Sequence, residues 1–242
     1  MINTRLKADI IAHAKAEHPR EACGLLVDIK GVTVYWACKN LADGTDHFII
    51  DPNDYAEADA KGMIVAVVHS HPDAPATPSM ADRVACEASG LPWLIVSYPG
   101  EQWAHIQPEG YQAPYIGRVW SHGVVDCYSL IRDWYSRERG VILPNFHRAD
   151  NWWNKGQNLY VDNFAKVGFY RIDESQLRPG DALLMQIQSN VANHAAIYLD
   201  GDIILHHLHG RLSGREVYGG YYKKHTTHIL RYGDAEKGNF SG

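Results

Sequence analysis

The first half of the chain contains two histidines that are separated by one residue, His69 and His71, in the stretch VVHSHPDAPATPSMAD. On an extended segment, positions i and i+2 point to the same face about 7 Å apart along the backbone, so two imidazoles can converge on one ion. A hydrolytic zinc site takes three protein ligands and leaves one position for water, and a carboxylate can be the third ligand. Asp82, near the start of the next predicted helix, is the candidate.

Zinc-assisted hydrolysis also needs a base outside the ligand set and a donor for the developing oxyanion. Glu21, beside the first predicted strand, is the candidate base, and Ser79 is the candidate donor. A simpler interpretation stays open, because Ser79 and Asp82 also suit the first turn of a helix that binds no metal. The two interpretations are compatible, while Glu21 taken alone is typical of a solvated acid.

Together these residues resemble the JAMM, or MPN-type, zinc metallopeptidases. Their pattern is a glutamate followed at a distance by H-S/T-H-P, six residues, S, two residues and D, and EACGLL with HSHPDAPATPSMAD matches it without a gap. The resemblance implies an α/β, cytidine-deaminase-like domain that binds one Zn²⁺ and cleaves peptide or isopeptide bonds. It assigns the metal to His69, His71 and Asp82, and catalysis to Glu21 and Ser79.

A second candidate site lies in the other half of the chain, where Cys127 occupies the first turn of a predicted helix. The unpaired N–H groups and the dipole of a helix N-terminus favour a thiolate. A thiolate that attacks an amide needs an imidazole to carry protons and a third group to orient it. His194 and His206, on strands predicted to pair as a hairpin, are available, although each residue taken singly is more typical of a packed core.

The stretches DCYSLIRDWY and NHAAIYLDGDIILHH together resemble the NlpC-type cell-wall peptidases, which have a papain-like α+β fold. The resemblance implies that Cys127 is the nucleophile, His194 the general base and His206 the orienting residue. His207 remains an alternative for the last role, because adjacent residues of a strand point to opposite faces.

The predicted elements divide the chain into an α/β domain and an α+β domain. In the first we expect helices at 2–16, 52–62 and 79–89, and strands at 23–29, 32–38, 46–50, 63–69, 92–98 and 102–107. In the second we expect helices at 126–140 and 160–168, and antiparallel strands at 182–188, 194–199, 203–208 and 227–232. The proline- and glycine-containing stretch 108–117 predicts a linker between domains 1–107 and 118–242.

Composition excludes several classes of function for the 242 residues. The net charge is −5 and the basic residues form no stripe, which argues against nucleic-acid binding. No apolar stretch is long enough for membrane insertion, and the N-terminal segment lacks the apolar core of a secretion signal. The four cysteines have no CxxC spacing, which is typical of a reducing compartment such as the cytosol.

The two domain types in this order resemble the tail assembly proteins of lambda-like bacteriophages and prophages. The resemblance implies phage tail-tip proteins and peptidoglycan peptide stems as partners, with the host cytoplasm as the site of assembly and the virion tail tip as a second location. The main alternative is a structural assembly factor whose sites are vestigial or blocked. A deubiquitinase-like isopeptidase fits only the first domain and leaves Cys127 and His194 without a role.

Overall fold

The computed structural model describes residues 2–233. The chain divides into two compact units, Met1–Gln112 and Ala113–Gly242. Among the described residues, no helix is long and apolar enough to cross a membrane. The domain bounds 1–107 and 118–242, with a linker at 108–117, remain predictions.

The first unit is a five-stranded mixed sheet with helices on both faces. Its elements are α1 (Thr4–Glu17), β1 (Cys23–Ile29), β2 (Val32–Cys38), α2 (Pro52–Lys61), β3 (Met63–Pro72), α3 (Met80–Ser89), β4 (Trp93–Tyr98) and β5 (Trp103–Ile106). The strand order is β2-β1-β3-β4-β5, and β3 and β4 form its parallel pair, joined by the crossover helix α3. The predicted α/β arrangement is confirmed.

The central strand β3 is apolar along most of its length because both of its faces are covered. Ala66 and Val68 pack on the side of α1, which buries Leu6 and Ile10 there. Val67 packs on the opposite side with residues of α2 and α3. Side chains alternate along a strand, so the residue two positions beyond Val67 points to the α3 side. The sheet thereby directs His69 toward the start of α3.

The second unit is a six-stranded antiparallel sheet that packs against one long helix. Its elements are α4 (Cys127–Arg139), α5 (Leu159–Asn163), β6 (Phe169–Arg171), β7 (Ala182–Met185), β8 (His194–Tyr198), β9 (Ile203–His206), β10 (Gly214–Val217), α6 (Gly220–His225) and β11 (Thr226–Tyr232). The strand order is β10-β9-β8-β7-β11-β6. Helix α4 packs on β8 and β9, and the expected α+β arrangement is confirmed.

The expected strand at 46–50 is wrong. These residues form an irregular segment with one isolated bridge, between Asn40 and Ile50. The buried side chain of Asn40 takes the hydrogen bonds that a strand partner would take: its Oδ1 accepts from Ile49 N at 3.0 Å, and its Nδ2 donates to His47 O at 3.2 Å. A side chain thus replaces the ladder here.

In the second unit, the helix expected at 160–168 is shorter than predicted. Helix α5 ends at Asn163, and a 3-10 turn follows at Ala165–Val167. Gly168, with a φ of 91°, ends the segment, because this left-handed conformation favours glycine. Strands β6 and β10 and helix α6 were not predicted, because elements of three to six residues carry little periodicity.

The core position of Leu130 on α4 generates a stability prediction. Leu130 is fully buried, whereas Leu212 of the same unit is 62% exposed. Leu130→Ala should lower the free energy of unfolding by about 2–5 kcal/mol, because it leaves a cavity in the core. Urea denaturation would measure the change, with Leu212→Ala as the matched control. Equal effects of the two substitutions would contradict this core.

Candidate functional sites

Strand β3 carries the two histidines of the first site. The sequence predicted that the strand ends at His69, but it continues to Pro72, and His71 is paired in register with Ser97 of β4. His69 Nε2 lies 3.1 Å from His71 Nε2 and 3.1 Å from Asp82 Oδ1. His71 Nε2 lies 3.3 Å from Asp82 Oδ2. The structure therefore brings together the three predicted metal ligands.

This donor set fits a tetrahedral zinc ion. Ligand atoms about 2.0–2.1 Å from a tetrahedral ion lie roughly 3.3 Å from one another, close to the separations observed here. His71 Nδ1 lies 2.8 Å from the carbonyl oxygen of Pro75. This contact places the proton of His71 on Nδ1 and leaves the Nε2 lone pair free. When both Nε2 atoms are unprotonated, their lone pairs and the Asp82 carboxylate repel one another at these distances unless a cation lies among them.

The protonation of the three groups follows from burial and from their mutual contacts. Burial lowers the pKa of His69, which is 1% exposed. Burial also acts to lower the pKa of His71, but its bonds to Asp82 and to the Pro75 carbonyl outweigh it and raise the pKa. Burial acts to raise the pKa of Asp82, but the bonds from His69, His71 and Ser79 hold it well below its usual range. Asp82 is therefore a carboxylate.

Asp82 has a second role as the capping acid of α3. Ser79 Oγ accepts from Asp82 N at 3.1 Å, and Asp82 Oδ2 accepts from Ser79 N at 2.6 Å, which is a capping box. The capping interpretation of this segment is confirmed, and because the same carboxylate faces His69 and His71 it is compatible with the predicted role of Asp82 as a metal ligand. Ser79 is exposed, and its hydroxyl hydrogen is free of the capping bond, so it can be donated to a substrate oxygen.

Glu21 is half-buried and close enough to His71 and Asp82 to interact with them electrostatically. Burial raises the pKa of its carboxyl to about 8, against a smaller opposing effect of His71. Two residues position its backbone. Asn40 Nδ2 donates to Glu21 O at 2.9 Å, and Ser70 Oγ accepts from Ala22 N at 2.9 Å. Ser70, between the two histidines, therefore connects β3 to the segment that carries Glu21. The contact of Asn40 with Glu21 could not be predicted from the sequence.

The second site begins at the N-terminus of α4. Asp126 is the N-cap: its Oδ1 accepts from Ser129 N at 2.8 Å, and Ser129 Oγ accepts from Asp126 N at 2.7 Å. Its other oxygen, Oδ2, accepts from Arg148 Nε at 2.7 Å, and both side chains of this ion pair are buried. Asp126 and Arg148 thus fix the first turn of α4, where Cys127 is located.

The thiol of Cys127 is buried and uncharged. Cys127 is 2% exposed, and its Sγ lies 3.1 Å from the hydroxyl oxygen of Tyr160. Burial and the adjacent Asp126 carboxylate raise the pKa of Cys127 to about 11, although Tyr160 and the Ala195 backbone N–H oppose the shift. Burial therefore opposes the thiolate that the helix N-terminus favours, and the role of Cys127 as nucleophile stays a prediction. Tyr160 lies 33 residues from Cys127, and no motif signalled it.

The two predicted histidines of the second site are in contact. His194 Nε2 lies 3.0 Å from His206 Nδ1, and both residues are buried. His207 instead directs its Nε2 to the carbonyl oxygen of Arg211 at 3.1 Å. Burial, followed by repulsion from His206 and His207, lowers the pKa of His194 to about 3, so its imidazole is neutral. The geometry favours His206 over His207 as the orienting residue, a role that remains a proposal.

The contact between Tyr160 and Cys127 generates a reactivity prediction. Tyr160→Phe removes a hydrogen bond that lowers the pKa of Cys127, so the thiolate fraction falls at any pH below that pKa. A bond of about 1 kcal/mol predicts roughly fivefold slower alkylation by iodoacetamide, measured by mass spectrometry of the Cys127 peptide. Tyr128→Phe is the control, because Tyr128 donates to Pro144 O instead. Faster alkylation of the Tyr160→Phe variant would contradict the prediction.

Comparison with known proteins identifies two domain families and two close relatives. Residues 3–107 match the family of prokaryotic homologs of the JAB domain, and residues 114–231 match the NlpC/P60 family. The chain is 42% identical to tail tip assembly protein K of Escherichia phage N15, over 95% of each chain. It is 40% identical to tail tip assembly protein K of Escherichia phage lambda, over 80% of this chain and 94% of that protein.

Among solved structures, a JAB1/MPN domain protein from Archaeoglobus fulgidus shares 26% identity with this chain. The match covers 45% of this chain and 88% of that one, with a TM-score of 0.31. The family matches confirm the expected order of a JAMM-type α/β domain followed by an NlpC-type α+β domain. With 42% identity over nearly its whole length, the chain belongs to the family of the tail tip assembly proteins K.

Proposed function

We propose that this tail tip assembly protein contains two peptidase sites, a zinc site in the JAB domain and a thiol site in the NlpC/P60 domain. The observations that carry the proposal are a cluster of three possible ligands at the first site and a contact between two histidines at the second. Three metal-binding side chains converge at 3.1–3.3 Å beside α3, and two buried imidazoles lie 3.0 Å apart in the unit that carries Cys127.

At the first site, His69, His71 and Asp82 would hold the zinc ion, which supplies Lewis-acid activation of water and of the substrate carbonyl. Glu21, in its ionised form, takes the proton of the attacking water and passes it to the leaving amine. Ser79 donates its hydroxyl hydrogen to the carbonyl oxygen as that carbon becomes tetrahedral. The proposed substrate is a peptide or isopeptide bond, whose hydrolysis gives a carboxylic acid and an amine.

At the second site, Cys127 attacks the carbonyl carbon of a peptide bond while its proton moves to His194. The C–N bond then breaks, the leaving amine takes that proton from His194, and the acyl group remains on sulfur as a thioester. Water hydrolyses the thioester with His194 as base, which releases the acid and restores the thiol. His206 orients His194 throughout.

The substrate of the thiol site is proposed to be the peptide stem of peptidoglycan, in line with the NlpC-type resemblance of the domain. The two K relatives are named for tail tip assembly, which supports other tail-tip proteins as partners. We place the protein in the host cytoplasm during assembly and at the tail tip of the virion during entry. The protein substrate of the zinc site would be found among the same tail-tip partners.

The burial of the thiol site favours a second candidate function. Cys127 is 2% exposed and His194 is 3% exposed, and Tyr160 contacts the sulfur. A substrate carbonyl must lie about 3–3.5 Å from the attacking atom, so access requires Tyr160 to move. A structural assembly factor, in which this site is closed until a tail partner binds, is therefore the alternative.

Zinc binding gives a direct test of the first site. His69→Ala should weaken zinc binding more than about 100-fold, because a direct ligand is lost. Glu21→Gln should keep wild-type affinity, because Glu21 acts as the base and not as a ligand. Isothermal titration of the zinc-free protein would measure both, with exposed His105→Ala as the control. Metal loss in Glu21→Gln would make Glu21 a ligand, and wild-type affinity in His69→Ala would exclude the site.

Digestion of purified peptidoglycan tests the second site. The wild type and His69→Ala should release the same cleaved stem peptides, read by mass spectrometry of the muropeptides. Cys127→Ala should release none, because no thioester can form. Cleavage that persists in Cys127→Ala would refute the thiol site. An inactive wild type that becomes active with tail-tip partners would instead support the closed-site alternative.

A further inference from the structure

Glu216 lies next to the thiol site but has no role in the mechanism above. Strands β8, β9 and β10 are neighbours, and His206 of β9 lies opposite Ala196 on one side and Gly214 on the other. Directly opposed residues share a face and alternate residues along a strand return to it. His194, His206 and Glu216 therefore project from one face of three adjacent strands.

The distances show that His206 lies between His194 and Glu216. His194 Nε2 lies 3.0 Å from His206 Nδ1, and His206 Nε2 lies 3.6 Å from Glu216 Oε1. The second separation is an ion-pair distance that is longer than a hydrogen bond. Contacts of this kind commonly tighten when charge develops in the reacting complex.

The proton positions on the two rings identify what Glu216 can do. His194 uses Nε2 for His206, so Nδ1 is the nitrogen left to take the thiol proton. Neutral His194 must then carry its proton on Nε2 and donate it to His206 Nδ1. His206 Nδ1 can accept only if the proton of His206 is on Nε2, and that nitrogen faces Glu216.

We propose that Glu216 is a positioning residue of the thiol site, where its carboxylate holds the Nε2–H of His206 and so keeps His206 as the acceptor for His194. Its negative charge also stabilises the imidazolium that forms when Cys127 gives up its proton. The burial of both rings makes this charge important, because water cannot supply the stabilisation. The proposal rests on the proposed thiol peptidase function.

The surroundings of Glu216 fix its carboxylate beneath His206. The hydroxyl of Tyr222 donates to Glu216 Oε2, and the Tyr222 ring packs edge-on against His206 with centroids 4.9 Å apart. Arg211 Nη1 lies 3.5 Å from Glu216 Oε1 and is the competing cation. The Arg211 side chain is 65% exposed, so the alternative role for Glu216 is a surface ion pair with Arg211. In that case, replacing Arg211 and replacing Glu216 should have equal effects on the thiol site.

Imidazole ¹⁵N NMR of the full chain tests the positioning role without any substrate. The wild type should show His206 with its proton on Nε2, and His206→Asn assigns the signal. Glu216→Ala should shift His206 toward the Nδ1–H form, whereas Glu216→Gln should keep the tautomer, because an amide oxygen still accepts. Arg211→Gln is the control and should change nothing. An unchanged tautomer in Glu216→Ala would overturn the proposal.

Peptidoglycan cleavage tests the charge. Glu216→Ala should lower kcat at least about tenfold with little change in KM, because it loses an interaction with a charged group that is made during attack. Glu216→Gln should keep the tautomer and still lose rate, which a merely structural role would not produce. Wild-type kcat in Glu216→Gln would overturn the charge role. If the wild type stays inactive even with its tail-tip partners, a His206 tautomer that still depends on Glu216 would refute the peptidase function and support the positioning.

Discussion

In both units, a carboxylate that closes the first turn of a helix also belongs to the candidate site. The first N–H groups of a helix need acceptors, and a short acid with a serine supplies them. Asp82 does this for α3 and faces His69 and His71 with the same carboxylate. Asp126 does this for α4, directly before Cys127, and its charge is balanced by Arg148. The helix starts therefore set the position of each site and much of its electrostatics.

Burial has a different consequence at each site: the first site needs a cation, whereas the groups of the second site stay uncharged. The first gathers two imidazole nitrogens and an ionised carboxylate, a set that a cation stabilises. At the second site, burial and the adjacent Asp126 carboxylate raise the pKa of Cys127, so its thiol stays protonated. Burial lowers the pKa of His194, so its imidazole stays neutral. The central claim of our account is that Cys127 is activated by proton transfer during attack, and not by a preformed thiolate and imidazolium.

The sequence predicted those parts of the sites that short motifs encode. HSHP lies at the end of one strand and SMAD at the start of the next helix, and His69 and Asp82 come together in the structure as this pattern indicated. Contacts between distant segments were not predictable, because nothing near Tyr160 or Glu216 in the sequence points to the histidines or the cysteine. The helix dipole, which favours a thiolate, is a local feature, whereas the burial that raises the pKa of Cys127 depends on the whole unit.

The most direct test of the central claim is the ultraviolet absorbance of the thiolate, measured as the difference between the wild type and Cys127→Ala across pH. Our account predicts no difference at neutral pH and a rise only on approach to a pKa of about 11. A full thiolate signal at neutral pH would show a preformed ion pair of Cys127 with an imidazolium and would contradict the account.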